Sequence, residues 1–281
     1  MDKCKKIVIL GGDKRFFNLA QHLKMHYKVE FFEFPTLEVA SNSVKGCDCL
    51  ILPLPCTCAG STMLNNSNNV DLKNIFEVVN KNAIVLAGKV YENLYNLAEH
   101  HKIRLIDYYT DEFEMLNAVP SAEGAIKIAM EHTDFTLSSS KCLILGFGRI
   151  GKILSKMLCG IGADVTVAAR NPEALALIKA LGMNCLNIYD LNSSLKESDI
   201  IFNTVPSLIL DKKNLLNVKK DGLIIDLASK PGGCDFESAD KLNLKFIHAL
   251  GLPGKIAPKT SSDIIINCIC SLIEERRTNG T

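Results

Sequence analysis

Six residues in the middle of the chain, Gly146-Phe147-Gly148-Arg149-Ile150-Gly151, carry the spacing G-x-G-x-x-G. Here that spacing follows the beta-rich run Cys142-Leu143-Ile144-Leu145 and opens the helix-like stretch 152–160. In such a setting Gly146 permits a tight turn, Gly148 lets backbone approach a pyrophosphate, and Gly151 lets helix and strand pack closely. Arg149 and Ile150 complete a helix N-terminus that favours an anion. The expected chemistry is dinucleotide binding; the competing reading is a tight turn and nothing more. About twenty residues on, an NAD-binding chain sets an acid on the ribose 2′-hydroxyl. This sequence instead reads Val167-Ala168-Ala169-Arg170-Asn171-Pro172. Arg170 with Asn171 suits a 2′-phosphate, so NADP is the expected cofactor; a solvated helix-start arginine is the alternative.

A second glycine pair, in Gly11-Gly12-Asp13-Lys14-Arg15, lacks the third glycine and is followed by Phe16 and Phe17. It should not take a dinucleotide. Asp13 and Arg15 nevertheless stand at the end of a strand-like run, where α/β folds bind ligands, and are candidates for a small acidic one. Four more segments fall at expected strand ends or in the linker: 117–125, 203–206, 226–233 and 251–260.

These residues need elements to hold them. Short beta-rich runs over 6–10, 29–34, 49–52, 83–87 and 104–107 alternate with helical stretches near 16–26, 72–80 and 91–100, the sequence form of a parallel sheet with crossover helices. A polar Asn/Ser loop is expected at 65–69. A second series of strands is expected over 142–145, 164–168, 199–203, 222–227 and 245–249. Between the series, 120–133 places Ala122, Ile126, Ala129 and Met130 on one face of a linking helix. A last amphipathic stretch, 262–276, has the length to return to the first domain. The expected domains are therefore 1–118, with 262–281 as a candidate to complete it, and 119–261, with 120–133 as linker. Two linking helices would leave a cleft between the sheets.

Composition narrows the function. The chain has 281 residues, 47% hydrophobic and 22% charged, and 32 basic against 31 acidic residues leave a net charge of +1. No excess field exists to hold nucleic acid or an anionic membrane. The longest apolar stretch, 264–273, is about half a membrane span, and the N-terminus shows no signal-peptide pattern. Eleven cysteines, an odd number with no C-x-x-C pair, read as reduced packing residues of a cytosolic protein, with no metal site.

Taken with the glycine loop, the stretches Ala228-Ser229-Lys230-Pro231-Gly232-Gly233 and 251–260 resemble the family of the dipicolinate synthase A subunit, the dehydrogenase-like component of the spore-forming pathway. The resemblance runs along essentially the whole chain. It implies NADP-dependent oxidation of dihydrodipicolinate, derived from the cyclic product of dihydrodipicolinate synthase, to pyridine-2,6-dicarboxylate. It also implies a flavoprotein-like partner, the B subunit of the same synthase, and the cytoplasm of a sporulating mother cell. By similarity to related two-domain dehydrogenases, Asn203, Thr204, Val205 and Pro206 should border the cofactor ribose, and the stretch 251–257, Gly251 and Leu252 foremost, the nicotinamide. The implied fold is α/β: two parallel-sheet α/β domains, the second a Rossmann NAD(P)-binding domain, joined by linking helices around a cleft.

A dianionic substrate calls for cations, hydroxyls and free amides. Arg15, Lys230, the amides of Gly232 and Gly233, and the Ser121 hydroxyl are the candidates. Lys255 joins them as a bulky cation where a small apolar residue is more natural. Lys230 or Asp226 is the candidate acid/base. Against these stand plainer roles: a salt-bridged loop lysine, a turn-capping Asp226, a Glu123 in the first turn of a helix, a strand histidine at 248, and packed rather than cleft-lining Tyr108 and Tyr109. Two other functions fit the same motifs: a shikimate- or methylene-tetrahydrofolate-type dehydrogenase, and a non-catalytic NADP-binding partner of the flavoprotein-like component.

Overall fold

The structure is a computed structural model describing residues 6–57, 61–63, 70–229 and 231–278, with side chains to 274. The loop expected at 65–69 and the residue Lys230 lie outside the described residues. The chain divides into two compact units, one formed by residues through Leu116 with those from Ala257 onward, the other by Asn117–Ile256.

The first unit carries strands β1 (Lys6–Leu10), β2 (Lys28–Phe32), β3 (Cys49–Ile51), β4 (Ile84–Ala87) and β5 (Arg104–Asp107), with helices α1 (Lys14–Leu23), α2 (Leu37–Val44), α3 (Leu72–Val78) and α4 (Glu92–His100). All strand pairs are parallel, in the order β2-β1-β3-β4-β5. A strand turns alternate side chains to opposite faces. Val8, Leu10, Leu50, Leu52, Val85 and Ala87 therefore join one core, against α2 and α3, while Ile7, Ile9, Cys49, Ile51, Ile84 and Leu86 join the other. With both faces covered, these strands read as continuous apolar runs. β1 and β3 flank the point where the strand order reverses, so the turn after β1, carrying Asp13, sits at the switch point of this unit.

Helix α5 (Asp111–His132) contains the division between the units. The sequence placed the linking helix at 120–133, on the apolar face of Ala122, Ile126, Ala129 and Met130. It starts nine residues earlier, where Asp111, Glu112 and Glu114 favour the helix dipole and Thr110 Oγ1 accepts from Phe113 N at 3.2 Å. Pro120 lies inside, and Glu123 stands mid-helix rather than in a first turn.

The second unit carries β6 (Lys141–Leu145), β7 (Asp164–Ala169), β8 (Asn184–Asn187), β9 (Ile200–Asn203), β10 (Leu223–Asp226) and β11 (Lys245–His248), with helices α6 (Arg149–Ile161), α7 (Pro172–Ala180), α8 (Asn192–Glu197), α9 (Lys212–Leu215), α10 (Phe236–Lys241) and α11 (Leu252–Ile256). Its parallel sheet runs β11-β10-β9-β6-β7-β8. The chain thus starts at the centre, winds out to β8, then crosses back to β9, making a doubly wound sheet with its switch point at β6/β9. Cys142, Ile144, Val167 and Ile225 pack under α5, α6 and α7, while Leu143, Leu145, Ile201 and Ile224 pack against α8, α9 and α10. Three elements were not expected: α2, β8 and α11, the last a short helix where a loop was read. Finally α12 (Pro258–Thr278) lays Ile265, Ile269 and Ile273 on the first unit's core beside Phe16, Leu19 and Leu23 of α1.

Candidate dinucleotide site

At the carboxyl end of β6 the chain turns on Gly146, whose φ of +99° is left-handed backbone that glycine adopts without strain. A Cβ built on Gly151 would fall 2.2 Å from the Gly146 carbonyl oxygen, so only glycine lets α6 start this close to β6. A Cβ on Gly148 would meet nothing within 4 Å: this glycine faces open space. Gly148 is also the N-cap of α6 and offers no side-chain oxygen, so the amides of Ile150 and Gly151 have no partner earlier in the helix. A helix of thirteen residues with an uncapped, glycine-walled N-terminus fits a pyrophosphate.

Around this turn lies a pocket of about 490 Å³. Gly146, Phe147 and Gly148 form its floor, Arg170 and Asn171 its β7 side, and Thr204, Val205 and Pro206 its β9 side. Thr204 is fixed by two bonds to the Leu145 carbonyl, from its amide and from its hydroxyl, each 2.9 Å. Asn171 caps α7, accepting from Ala174 N at 3.0 Å, with Pro172 pre-set for the first turn. Exposed Arg170 and Asn171 stand at the pocket where the sequence called for a 2′-phosphate contact. Sequence reasoning missed Ala174, Ile188, Tyr189, Ser207 and Ile209 in the same wall. Ile188 and Tyr189 follow β8, a strand bounded by Asn184 and Asn187 that shows no apolar run to find it by.

Other expected site residues sit elsewhere. Asn203 is fully buried and does not line the pocket. Its amide nitrogen donates to Val205 O (3.1 Å) and Asp226 Oδ1 (2.8 Å), and its oxygen accepts from Val205 N (3.2 Å). It shapes the turn rather than touching a ribose. Leu252 is buried beside Gly124, where an added Cβ would come within 3.0 Å of it, and neither Leu252 nor Gly251 lines the pocket.

The acid/base expectation for Asp226 is corrected in the same way. Its side chain is fully buried; Oδ1 accepts from Asn203 and from Ala228 N (3.0 Å), and Oδ2 from Gly233 N (2.8 Å). A carboxylate so engaged pins both ends of the 228–233 segment, and burial with both oxygens hydrogen-bonded fits that structural role rather than proton transfer. Gly232 N donates to Ser229 O at 2.9 Å, so neither glycine amide is left for a substrate. His248, at the end of β11, brings Nε2 to 3.1 Å from Ala228 O and stacks on Phe236, a support for the same segment. The Ser121 hydroxyl is spent on Asn117 O at 2.9 Å, one helical turn back, and Ser121 is buried.

In the first unit Asp13 caps α1 through Arg15 N (2.9 Å) and pairs with the Arg15 guanidinium, which also donates to Leu54 O (3.3 Å). Burial acts to raise the Asp13 carboxyl, but the hydrogen bond and charge of Arg15 outweigh it and hold the pKa below its ordinary value. The pair is neutral as a unit, so Arg15 offers a dianion less than a lone cation would. Phe16 fills the space beside Gly12, whose added Cβ would lie 2.5 Å from the ring, which closes this turn to a pyrophosphate. Tyr108 is fully buried, its hydroxyl on Leu52 O at 3.0 Å, and walls no cleft. Lys255 is exposed at the end of α11 and enters no ion pair among the described residues. No group of metal-ligating side chains occurs among the described residues, nor a helix long and apolar enough to cross a membrane.

Residues 116–229 match the D-isomer specific 2-hydroxyacid dehydrogenase NAD-binding domain family. With the doubly wound sheet and its glycine turn, this defines the class: an oxidoreductase whose second unit is a Rossmann domain for a nicotinamide cofactor. Residues 6–109 match the N-terminal domain family of the dipicolinate synthase A subunit. Along 285 aligned residues, covering 96% of each chain, the sequence is 32% identical to the dipicolinate synthase A subunit of Bacillus subtilis. The crystal structure of the Bacillus halodurans counterpart superposes with a TM-score of 0.86 at 29% identity, over 97% of this chain and 98% of that one. The Bacillus subtilis structure superposes with a TM-score of 0.85, also at 29% identity, over 99% of both. The chain belongs to the dipicolinate synthase A-subunit family.

Proposed function

We propose that this chain oxidises dihydrodipicolinate to pyridine-2,6-dicarboxylate at the expense of NADP, working with the flavoprotein-like B subunit in the cytoplasm of a sporulating mother cell. The observation that carries the reading is the 32% identity over 96% of the chain to a dipicolinate synthase A subunit. The dinucleotide pocket described above supports it. When bound, the nicotinamide supplies the hydride acceptor at C4; the ring loses a hydride and a proton, and aromatisation drives the reaction forward.

The chain's own contribution is orientation and charge. The amides of Ile150 and Gly151 hold the pyrophosphate, Arg170 pairs with the 2′-phosphate, and Thr204 to Pro206 support the ribose. Lys255, exposed and in no ion pair among the described residues, is a cation available to a substrate carboxylate. Lys230 is proposed as the acid/base on its sequence setting, since Asp226 is buried and its carboxylate fully hydrogen-bonded.

The test mixes the purified chain, with and without its flavoprotein-like partner, with freshly generated dihydrodipicolinate synthase product and NADP, and follows NADPH and dipicolinate together. Joint appearance of both, lost in Lys230→Ala, is the expected result. Lys255→Ala should weaken dipicolinate binding while leaving NADP affinity intact. NADP binding without either product, whether or not the partner is present, would overturn the substrate assignment and leave the dinucleotide site standing.

A further inference from the structure

Tyr189 is 82% exposed, more than any other large apolar side chain among the described residues, yet it lines the dinucleotide pocket. Its exposure does not come from a loose chain. Ile188 N donates to Ala169 O at 3.0 Å, tying the segment to β7; Tyr189 N donates to Asn187 Oδ1 at 3.0 Å, and Asp190 N to Asn187 O at 2.9 Å. A pinned turn thus holds an aromatic ring in water at the mouth of a pocket, at the cost of leaving its apolar faces wet.

The order of strands says what covers it. Along the carboxyl edge of the sheet β6 bears the pyrophosphate turn, β7 the Arg170 that meets a 2′-phosphate, and β8, two strands from β6, the Tyr189 turn. Strands are spaced about 4.8 Å apart, so β8 stands about 10 Å from the pyrophosphate, the reach of an adenosine toward its base. The pocket wall changes character along the same line, from the cationic and amide groups of Arg170 and Asn171 to the apolar Ala174 and Ile188, while the apolar Ile209 enters it from the loop after β9. Building on the dinucleotide reading above, we propose that Tyr189 is the specificity platform for the adenine ring, stacking on the base while Arg170 alone reads the 2′-phosphate. The base is recognised by the apolar slot and the tyrosine face, so this contact is blind to the choice between NAD and NADP.

The test is calorimetric titration of the full chain with two probes, ADP-ribose and 2′-phospho-ADP-ribose. Base–aromatic stacking of ordinary strength predicts that Tyr189→Ala raises both dissociation constants about tenfold. Tyr189→Phe should leave both unchanged, because the ring and not the hydroxyl carries the contact. Arg170→Ala should weaken only the 2′-phosphorylated probe. The chain has no tryptophan and six tyrosines, so the stacking should also appear as quenching of tyrosine emission by either probe, reduced in Tyr189→Phe through loss of that fluorophore. Unchanged binding in Tyr189→Ala, or a loss confined to the 2′-phosphorylated probe, would overturn the proposal while the dinucleotide reading stands. Absence of binding of both probes to the unaltered chain would overturn the two together.

Discussion

Arg170 occupies the position from which a Rossmann chain reads the ribose 2′ substituent, and no acid stands beside it in the pocket wall. A guanidinium donating to a phosphate is a charge-assisted bond, stronger than a neutral one. A hydrogen bond to a charged group contributes about 1.5–3 kcal/mol, so Arg170→Ala should weaken NADP about tenfold to a hundredfold. NAD, which offers no phosphate there, should bind as before. Competition titration of the two nucleotides checks this, and an unchanged preference would remove Arg170 from the site. That Arg170 would line this pocket was legible because an arginine replacing an expected acid is a change of charge at a fixed distance from the glycines. Asn203, Asp226, Gly232 and Gly233 show the opposite case: their types suit ligand contact, but hydrogen-bond partners in their own turns and, for Asn203 and Asp226, across adjacent strands consume them. Only coordinates show that Asn203 Nδ2 reaches Asp226 across the register pair Asp226↔Asn203.

At the scale of elements, the glycine turn ties helix α6 to strand β6 more tightly than any side chain would permit. The Cβ introduced by Gly151→Ala would fall 2.2 Å from the Gly146 carbonyl, a backbone atom that cannot swing aside. The helix start must then move, at the cost of overpacking, about 1–3 kcal/mol. Thermal unfolding should show the loss, and nucleotide affinity should fall with it because the displaced amides are the proposed pyrophosphate donors. A variant that is less stable but binds normally would mean the amides at the α6 start are not the anion site. The periodicity that revealed most strands is the same two-faced burial that fills both cores, which is why apolar runs such as Ile7 to Leu10 and Leu143 to Leu145 were legible. β8 carried no such signal: as an edge strand it is half wet, and its residues are only partly buried or exposed. The start of α5 was hidden by Pro120, since tertiary context keeps a helix running through a residue that local rules treat as a boundary.

Across the whole molecule the eleven cysteines include no C-x-x-C pair, and the environment of those among the described residues explains how so many thiols can be carried. Burial pushes Cys47, Cys56 and Cys142 up to about 11 and Cys234 up to about 12. The reactive species is the thiolate, and at pH 8 a thiol of pKa 11 is ionised only about one part in a thousand. Inaccessibility adds to that protection, whereas Cys159, on the outer face of α6, is exposed. Native protein treated with a thiol-directed reagent at pH 8 should therefore be labelled at Cys159 well before Cys47, Cys56, Cys142 or Cys234, as mass spectrometry of digests would read. In denaturant these should react alike. The same shifts set a sign for stability. These groups hold their protons more tightly folded than unfolded, so their contribution is complete below the ordinary thiol value of 9.0 and is lost as pH rises through 11 to 12. Denaturant midpoints should accordingly fall between pH 8 and 10, and replacing Cys234 by alanine should flatten that slope. Equal labelling of buried and exposed thiols in the native chain would mean that the two sheet cores open far more often than their packing implies.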